Sequence, residues 1–275
     1  LLSRAGFNPA DMPVFFKRLL DESRVNKSSA PEFLRSHPLT INRIAESAER
    51  VRAYPAAQKQ DESEFLLMQA KATAGFARHK DKARDHYKDL LDNGNNSLPT
   101  RYGYALALSE NGEHDLSRTQ FATLLRDYPG HLTVELTNAE NELYANEIDQ
   151  GLSLLKQLYE RETAKDNYIV DIYYANALVL SKHNKTAIPI LRSAIANAPE
   201  EPYFRFLLSR AYGETGDDMR SYLERGEYHY QRGNYEFALK QFERAKTLTD
   251  SSYELARLGA RIVDVQLEID EIKKL

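Results

Sequence analysis

Apolar positions along this chain recur at steps of three and four, and small residues punctuate them at a longer period. Ala83 precedes Tyr87 by four positions and Leu90 by seven. Ser117 stands in the same relation to Phe121 and Leu124, Gly151 to Leu155 and Leu158, and Ala187 to Leu191 and Ala194. Each stretch reads as one amphipathic helix, because residues three and four apart share a helical face. Twelve positions upstream of each small residue stand Lys71, Ala105, Ala139 and Ala175, of which Lys71 departs from the pattern. Two antiparallel helices close where one side chain is small enough to admit its neighbour. Gly112 and Gly216 mark turns within pairs, and Pro129 and Pro199 stop two second helices. The pattern predicts an all-α array of about four to six helical pairs.

The carboxy-terminal part changes rhythm. "DMRSYLERGEYHYQRG" reads as a helix serving two pairs, as second member of one and first of the next. Ala238, Phe242 and Ala245 then repeat the second-helix spacing. In "SSYELARLGARIVDVQLEIDEIKKL", a serine caps a helix whose Leu255, Leu258, Ile262, Val265, Ile269 and Ile272 form one stripe. It is expected to close the stack. Residues 1–55 follow no such period. "GFNPADMPVFFKRLLDES" predicts a helix capped by Asn8 with Pro9 in its first turn, and "PLTINRIAESAERVRAY" predicts a second. The expected domains are therefore 1–55 and 56–275, with a polar linker after Pro55.

Composition narrows the chemistry. The net charge is −4, with basic residues dispersed, which argues against a nucleic-acid partner. No apolar run reaches the roughly 20 residues of a transmembrane helix. Cysteine is absent, which removes disulfides and thiolate sites and is compatible with an oxidising compartment. Seventeen tyrosines and no tryptophan fit half-buried helix faces whose hydroxyls stay wet. His79 and His86, and the acidic pair Asp217 and Asp218, read as exposed turn residues and helix-entrance acids. Gly226 and Gly233 read as close-packing and turn positions.

The repeated pairs resemble tetratricopeptide repeats. The front piece, "RAGFNPADMPVFFKRLL" followed by "PEFLRSHPLTINRIAESAERV", is similar to the end of the catalytic domain in HtpX-like zinc metalloproteases. The combination resembles periplasmic members that carry carboxy-terminal tetratricopeptide repeats and act in outer-membrane protein assembly and quality control. That resemblance implies a zinc endopeptidase as parent, with polypeptide clients, either outer-membrane proteins or their assembly complex. It also implies a fold of repeats preceded by the last helices of a metalloprotease domain.

Such enzymes bind zinc through HExxH, two histidines one helical turn apart with a glutamate that activates water. This sequence has no HExxH, and no two of its seven histidines are four apart. It reads as a fragment beginning after the third zinc ligand, with no catalytic residues and no zinc of its own. The resemblance sets the segment containing His37 and Pro38 beside the zinc cleft, so His37 is a candidate metal-proximal residue that regulates the parent. Imidazole suits this, being a neutral and displaceable ligand. The plainer expectation is that His37 bonds at a helix entrance started by Pro38.

By resemblance, the first helix of each pair lines an inner groove, at Tyr102, Leu106, Leu136, Glu140, Ile172, Asn176, Phe206 and Arg210. Tyr102, Asn176, Arg210, Glu140 and Phe206 are the candidate polypeptide-binding residues, since amides pair with backbone and rings cover apolar side chains. The alternative reading is a stand-alone scaffold or chaperone-like adaptor without protease activity. An HExxH encoded upstream of Leu1 would distinguish the two.

Overall fold

A computed structural model describes residues 2–25, 41–54, 62–161 and 167–274. His37, Pro38 and the linker at 55–61 lie outside the described residues. The chain divides into two compact units, Leu1–Glu64 and Phe65–Leu275. Among the described residues the regular structure is helical: a 3-10 turn at Ser3–Ala5 and fourteen α-helices.

In the first unit, α1 spans Asp11–Val25 and α2 spans Ile41–Val51. The amide N–H of Ala10 donates to Asn8 Oδ1 at 3.0 Å, the expected capping bond, with Pro9 in the turn before the helix proper. The two helices pack together, and the Arg43 guanidinium lies 5.5 Å from the Phe16 ring centre. None of the described residues of either helix is buried.

The second unit is a tetratricopeptide-repeat superhelix. Its helices are α3 (Ser63–Gly75), α4 (Lys80–Asp92), α5 (Leu98–Glu110), α6 (His114–Asp127), α7 (Leu132–Tyr144) and α8 (Ile148–Tyr159). They continue as α9 (Tyr168–Leu180), α10 (Asn184–Asn197), α11 (Pro202–Glu214), α12 (Asp218–Gln231), α13 (Tyr235–Lys246) and α14 (Ser252–Ile272). From α4 onward each helix packs on the next, and α5, α7, α9 and α11 also pack in succession, so the first helices of these pairs form an inner layer.

The small residues sit at the closures the spacing predicts. Ser117 is buried and its Oγ donates to the carbonyl of Ala105 at 2.7 Å. Ser221 does the same to Ser209, again 2.7 Å and twelve residues back. Tyr87, Phe121, Leu155 and Leu191 are all buried behind them. Lys71 is the exception, and the turn explains it. The α3–α4 turn spans 76–79, one residue longer than the α5–α6 turn at 111–113. The register shifts by one, Ala70 takes the small position, and Lys71 swings off the seam.

Helix α12 serves two pairs, as expected. Ser221 faces α11, while a side chain at Gly226 would meet the Phe242 ring of α13 at 2.5 Å. Helix α14 starts at the Ser251 cap, whose Oγ accepts from the Glu254 amide. Leu258, Val265 and Ile269 are buried, but Ile272 is exposed, because the stripe outruns the helix it covers. Arginine–glutamate pairs tie the stack: Arg118 of α6 to the buried Glu142 of α7 at 2.9 Å, Arg161, just past α8, to Glu135 of α7 at 2.7 Å, and Arg261 of α14 to Glu227 of α12 at 2.8 Å.

Candidate polypeptide-binding groove

The released Lys71 organises the inner face. Its ammonium donates to Glu140 Oε2 at 2.8 Å and to the Tyr173 hydroxyl at 2.5 Å, so one side chain joins α3 to α7 and α9. Burial opposes the Lys71 charge, but Glu140 and Tyr173 outweigh it and hold the ammonium above its usual range. The Tyr144 hydroxyl donates to Glu140 Oε1 at 3.2 Å. Burial, and then the neighbouring Glu140 charge, push its pKa up to about 12, so it stays a neutral donor.

Farther along the same face, the Tyr203 hydroxyl donates to Asn176 Oδ1 at 3.2 Å. Its ring stacks on Phe206 at 5.7 Å, and Phe206 meets Tyr228 at 5.4 Å. The Arg210 guanidinium lies 6.0 Å from the Phe206 ring centre. Glu140, Asn176, Phe206 and Arg210 thus fall on one face, partly exposed, interleaved with tyrosines.

Tyr102 is different. It is fully buried, its hydroxyl bonds Thr137 Oγ1 at 2.8 Å, and Thr137 in turn donates to the Thr133 carbonyl. It packs edge-on against Phe121. A ring so enclosed and satisfied belongs to the repeat core and is withdrawn from the binding set. Leu106 and Leu136 are buried too, and Ile172 is packed against the core. The residues that sequence spacing missed are Tyr144, Tyr173, Tyr203 and Tyr228, whose common signal was the tyrosine richness of the chain, and Lys71, which the spacing marked only as a departure from the pattern.

Two cavities open along this face. One, of about 380 Å³, lies among α3, α5, α6 and α7; the other, about 130 Å³, is bounded by α7, α8 and α9, with Glu140 lining both. Among the described residues no group of three or more histidine, aspartate or glutamate side chains is placed to hold a metal ion, so they do not fit a zinc site. Among them, too, no helix is long and apolar enough to cross a membrane.

No family model matches the chain. The beta-barrel assembly-enhancing protease of Escherichia coli K12 is 25% identical over 265 residues, covering 95% of this chain and 54% of that protein. The putative beta-barrel assembly-enhancing protease of Vibrio cholerae serotype O1 is 28% identical over 279 residues, covering 100% and 57%. The chain therefore spans about half the length of the curated relatives it matches. Among solved structures, MamA from Desulfovibrio magneticus RS-1 is 15% identical over 64% of this chain and 98% of its own, with a TM-score of 0.47. A tetratricopeptide repeat protein from Parabacteroides merdae is 14% identical over 92% and 98%, with a TM-score of 0.45. The chain, with its paired helices and small-residue closures, is thus similar over nearly its whole length to part of the beta-barrel assembly-enhancing proteases.

Proposed function

We propose that these residues recruit polypeptide clients for a periplasmic zinc metalloendopeptidase, the clients being outer-membrane proteins or the machinery that assembles them. The observation that carries the reading is the inner face itself: tyrosines, an amide, an ion pair and an arginine, all partly exposed on α3, α7, α9 and α11. Aromatic surface beside hydrogen-bonding groups suits an unfolded or extended chain. Support for the protease setting comes from the relatives' names and from the front-piece motif. The unburied faces of α1 and α2 are consistent with helices whose neighbours belong to a catalytic domain outside these residues.

In this reading, zinc and the HExxH helix belong to the longer protein. His37 borders that metal and restrains it. The test uses a protein extended upstream of Leu1 through the zinc helix. Bound zinc and casein cleavage, with more cleavage after His37→Ala, are the expected results. Absence of zinc and of cleavage would remove the protease reading and leave an adaptor. Recovery of the protein in the cytoplasmic fraction would remove the periplasmic assignment.

A further inference from the structure

The larger cavity holds polar groups that the fold leaves unsatisfied. Asn141, on α7, is 2% exposed, and neither its Nδ2 nor its Oδ1 has a hydrogen-bond partner. Ser109 Oγ, on α5, is likewise buried without a partner. Both residues line the cavity. Buried polar groups are nearly always bonded, and each exception asks for a reason. Here two neighbouring inner helices each carry one, at one opening.

The surroundings define what fits. The mouth is apolar: Met68 is 47% exposed, Phe76 is 90% exposed, and Tyr144 stands beside them. The charges at the rim are already matched, Lys71 with Glu140 at 2.8 Å and Lys80 with Glu110 at 2.6 Å. A charged side chain or a terminal carboxylate would have to break one of these pairs. A neutral group would not.

Asn141 offers an acceptor and donors in a single plane. One residue of an extended chain points its own N–H and C=O to the same side, as paired antiparallel strands require. A carboxamide can therefore stand in for a strand neighbour, accepting from that N–H and donating to that C=O. The adjoining side chain then lies against the apolar mouth.

We propose that this cavity is a subsite for one uncharged, apolar residue of an extended polypeptide, its backbone N–H and C=O bonded by Asn141 and its side chain held by Met68 and Phe76. Binding turns the carboxamide about its own side-chain torsions to face the opening. The proposal rests on the polypeptide-recruiting reading and narrows it to neutral, strand-like segments.

The test uses the full 275-residue chain and a fluorescent, acetylated and amidated octapeptide of alternating serine and phenylalanine, with anisotropy as readout. Asn141→Leu keeps the volume and removes both bonds. It is expected to weaken binding about tenfold or more, with a melting temperature no lower than that of the parent chain, since an unsatisfied buried group is replaced by an apolar one. A peptide with ester linkages in place of backbone amides has no N–H donor and keeps a weaker carbonyl acceptor, so it should bind the parent chain several-fold more weakly and lose less on Asn141→Leu than the amide peptide does, because the bond from its N–H to Asn141 Oδ1 is already gone. Met68→Ser, at the exposed rim, should weaken the peptide several-fold without affecting folding, and serves if Asn141→Leu does not fold.

Undiminished binding by Asn141→Leu overturns the subsite and leaves the recruiting reading standing. So does tighter binding of an octapeptide with aspartate in place of serine. If a urea-unfolded outer-membrane β-barrel protein binds but the octapeptide does not, the subsite alone falls. If neither binds, the recruiting reading falls with it.

Discussion

The front helices and the repeat helices are amphipathic to a similar eye, yet they end up in opposite circumstances. Phe15 in α1 is 52% exposed and Ile41 in α2 more so, while Phe121 in α6 and Phe242 in α13 are fully buried. The difference is not in the helices' own patterns. A repeat helix meets neighbours built to the same rule, with a small residue wherever the next helix presses in. In the front pair α1 packs on α2, and the described residues of both stay unburied. Amphipathicity states a need for burial; a complementary neighbour is what satisfies it.

The comparison can be broken most sharply in the core. Phe121→Ala should cost about 3–5 kcal/mol in urea unfolding of the second unit, because a buried ring leaves both lost transfer energy and a cavity. Phe15→Ala should stay within about 0.5 kcal/mol, as exposed positions do. A comparable loss at Phe15 would mean the front pair is packed as tightly as the repeats.

Next is Gly226→Ala. A methyl group at this position meets the fully buried Phe242 ring at 2.5 Å. Crowding of that kind costs about 1–3 kcal/mol, offset in part by the roughly 1 kcal/mol that alanine gains over glycine in a helix. Hydrogen exchange should show α13 and α14 losing protection while α5–α10 keep theirs. Uniform loss would argue against α12 as a joint between two pairs.

Lys182→Gly should move stability the other way. Gly112 and Gly216 occupy the left-handed position of their turns, and Asn146 (φ 65°) and Lys182 (φ 62°) occupy the matching position in two others. Relieving lysine of that conformation is worth about 1–2 kcal/mol, less the greater freedom glycine has when unfolded. A net rise of up to about 1 kcal/mol in thermal unfolding is expected; destabilisation would show that the Lys182 side chain holds the turn.

Smallest is Lys71→Met, expected to cost about 0.5–1 kcal/mol for a partly exposed pair. The pH dependence has a definite sign. Lys71 is held above its ordinary 10.5 in the folded chain, so its contribution is complete below 10.5 and fades as pH rises through the higher folded value. The difference between Lys71→Met and the parent chain should therefore stay level from pH 7 to 10 and shrink only beyond that. A difference that vanished by pH 9 would sink the ion-pair account.

Much of the fold was legible because its determinants are local and periodic. Ser117 announced a closure against Ala105, and the two are in fact hydrogen bonded. The sharing of α12 could be read from two small-residue registers on one helix. The groove was legible only in part. Counting from the repeat put Glu140, Asn176, Phe206 and Arg210 on the inner face, but it put Tyr102 there too, at an equivalent position. Equivalent positions differ in exposure because burial depends on what the adjoining helix supplies, and at Tyr102 that is Phe121 and Thr137.

The sequence by itself determined the helices, their pairing and the places where they close, since 3.6-residue periodicity and side-chain size act between near neighbours. Only the tertiary structure decided which of those faces became a site. One extra residue in the α3–α4 turn rotated Lys71 off the seam and onto Glu140 and Tyr173, 69 and 102 residues away. The packing of α5, α7 and α9 in succession fixes where Glu140 and Tyr173 stand, and that packing is set by many interhelix contacts that no single stretch of sequence encodes.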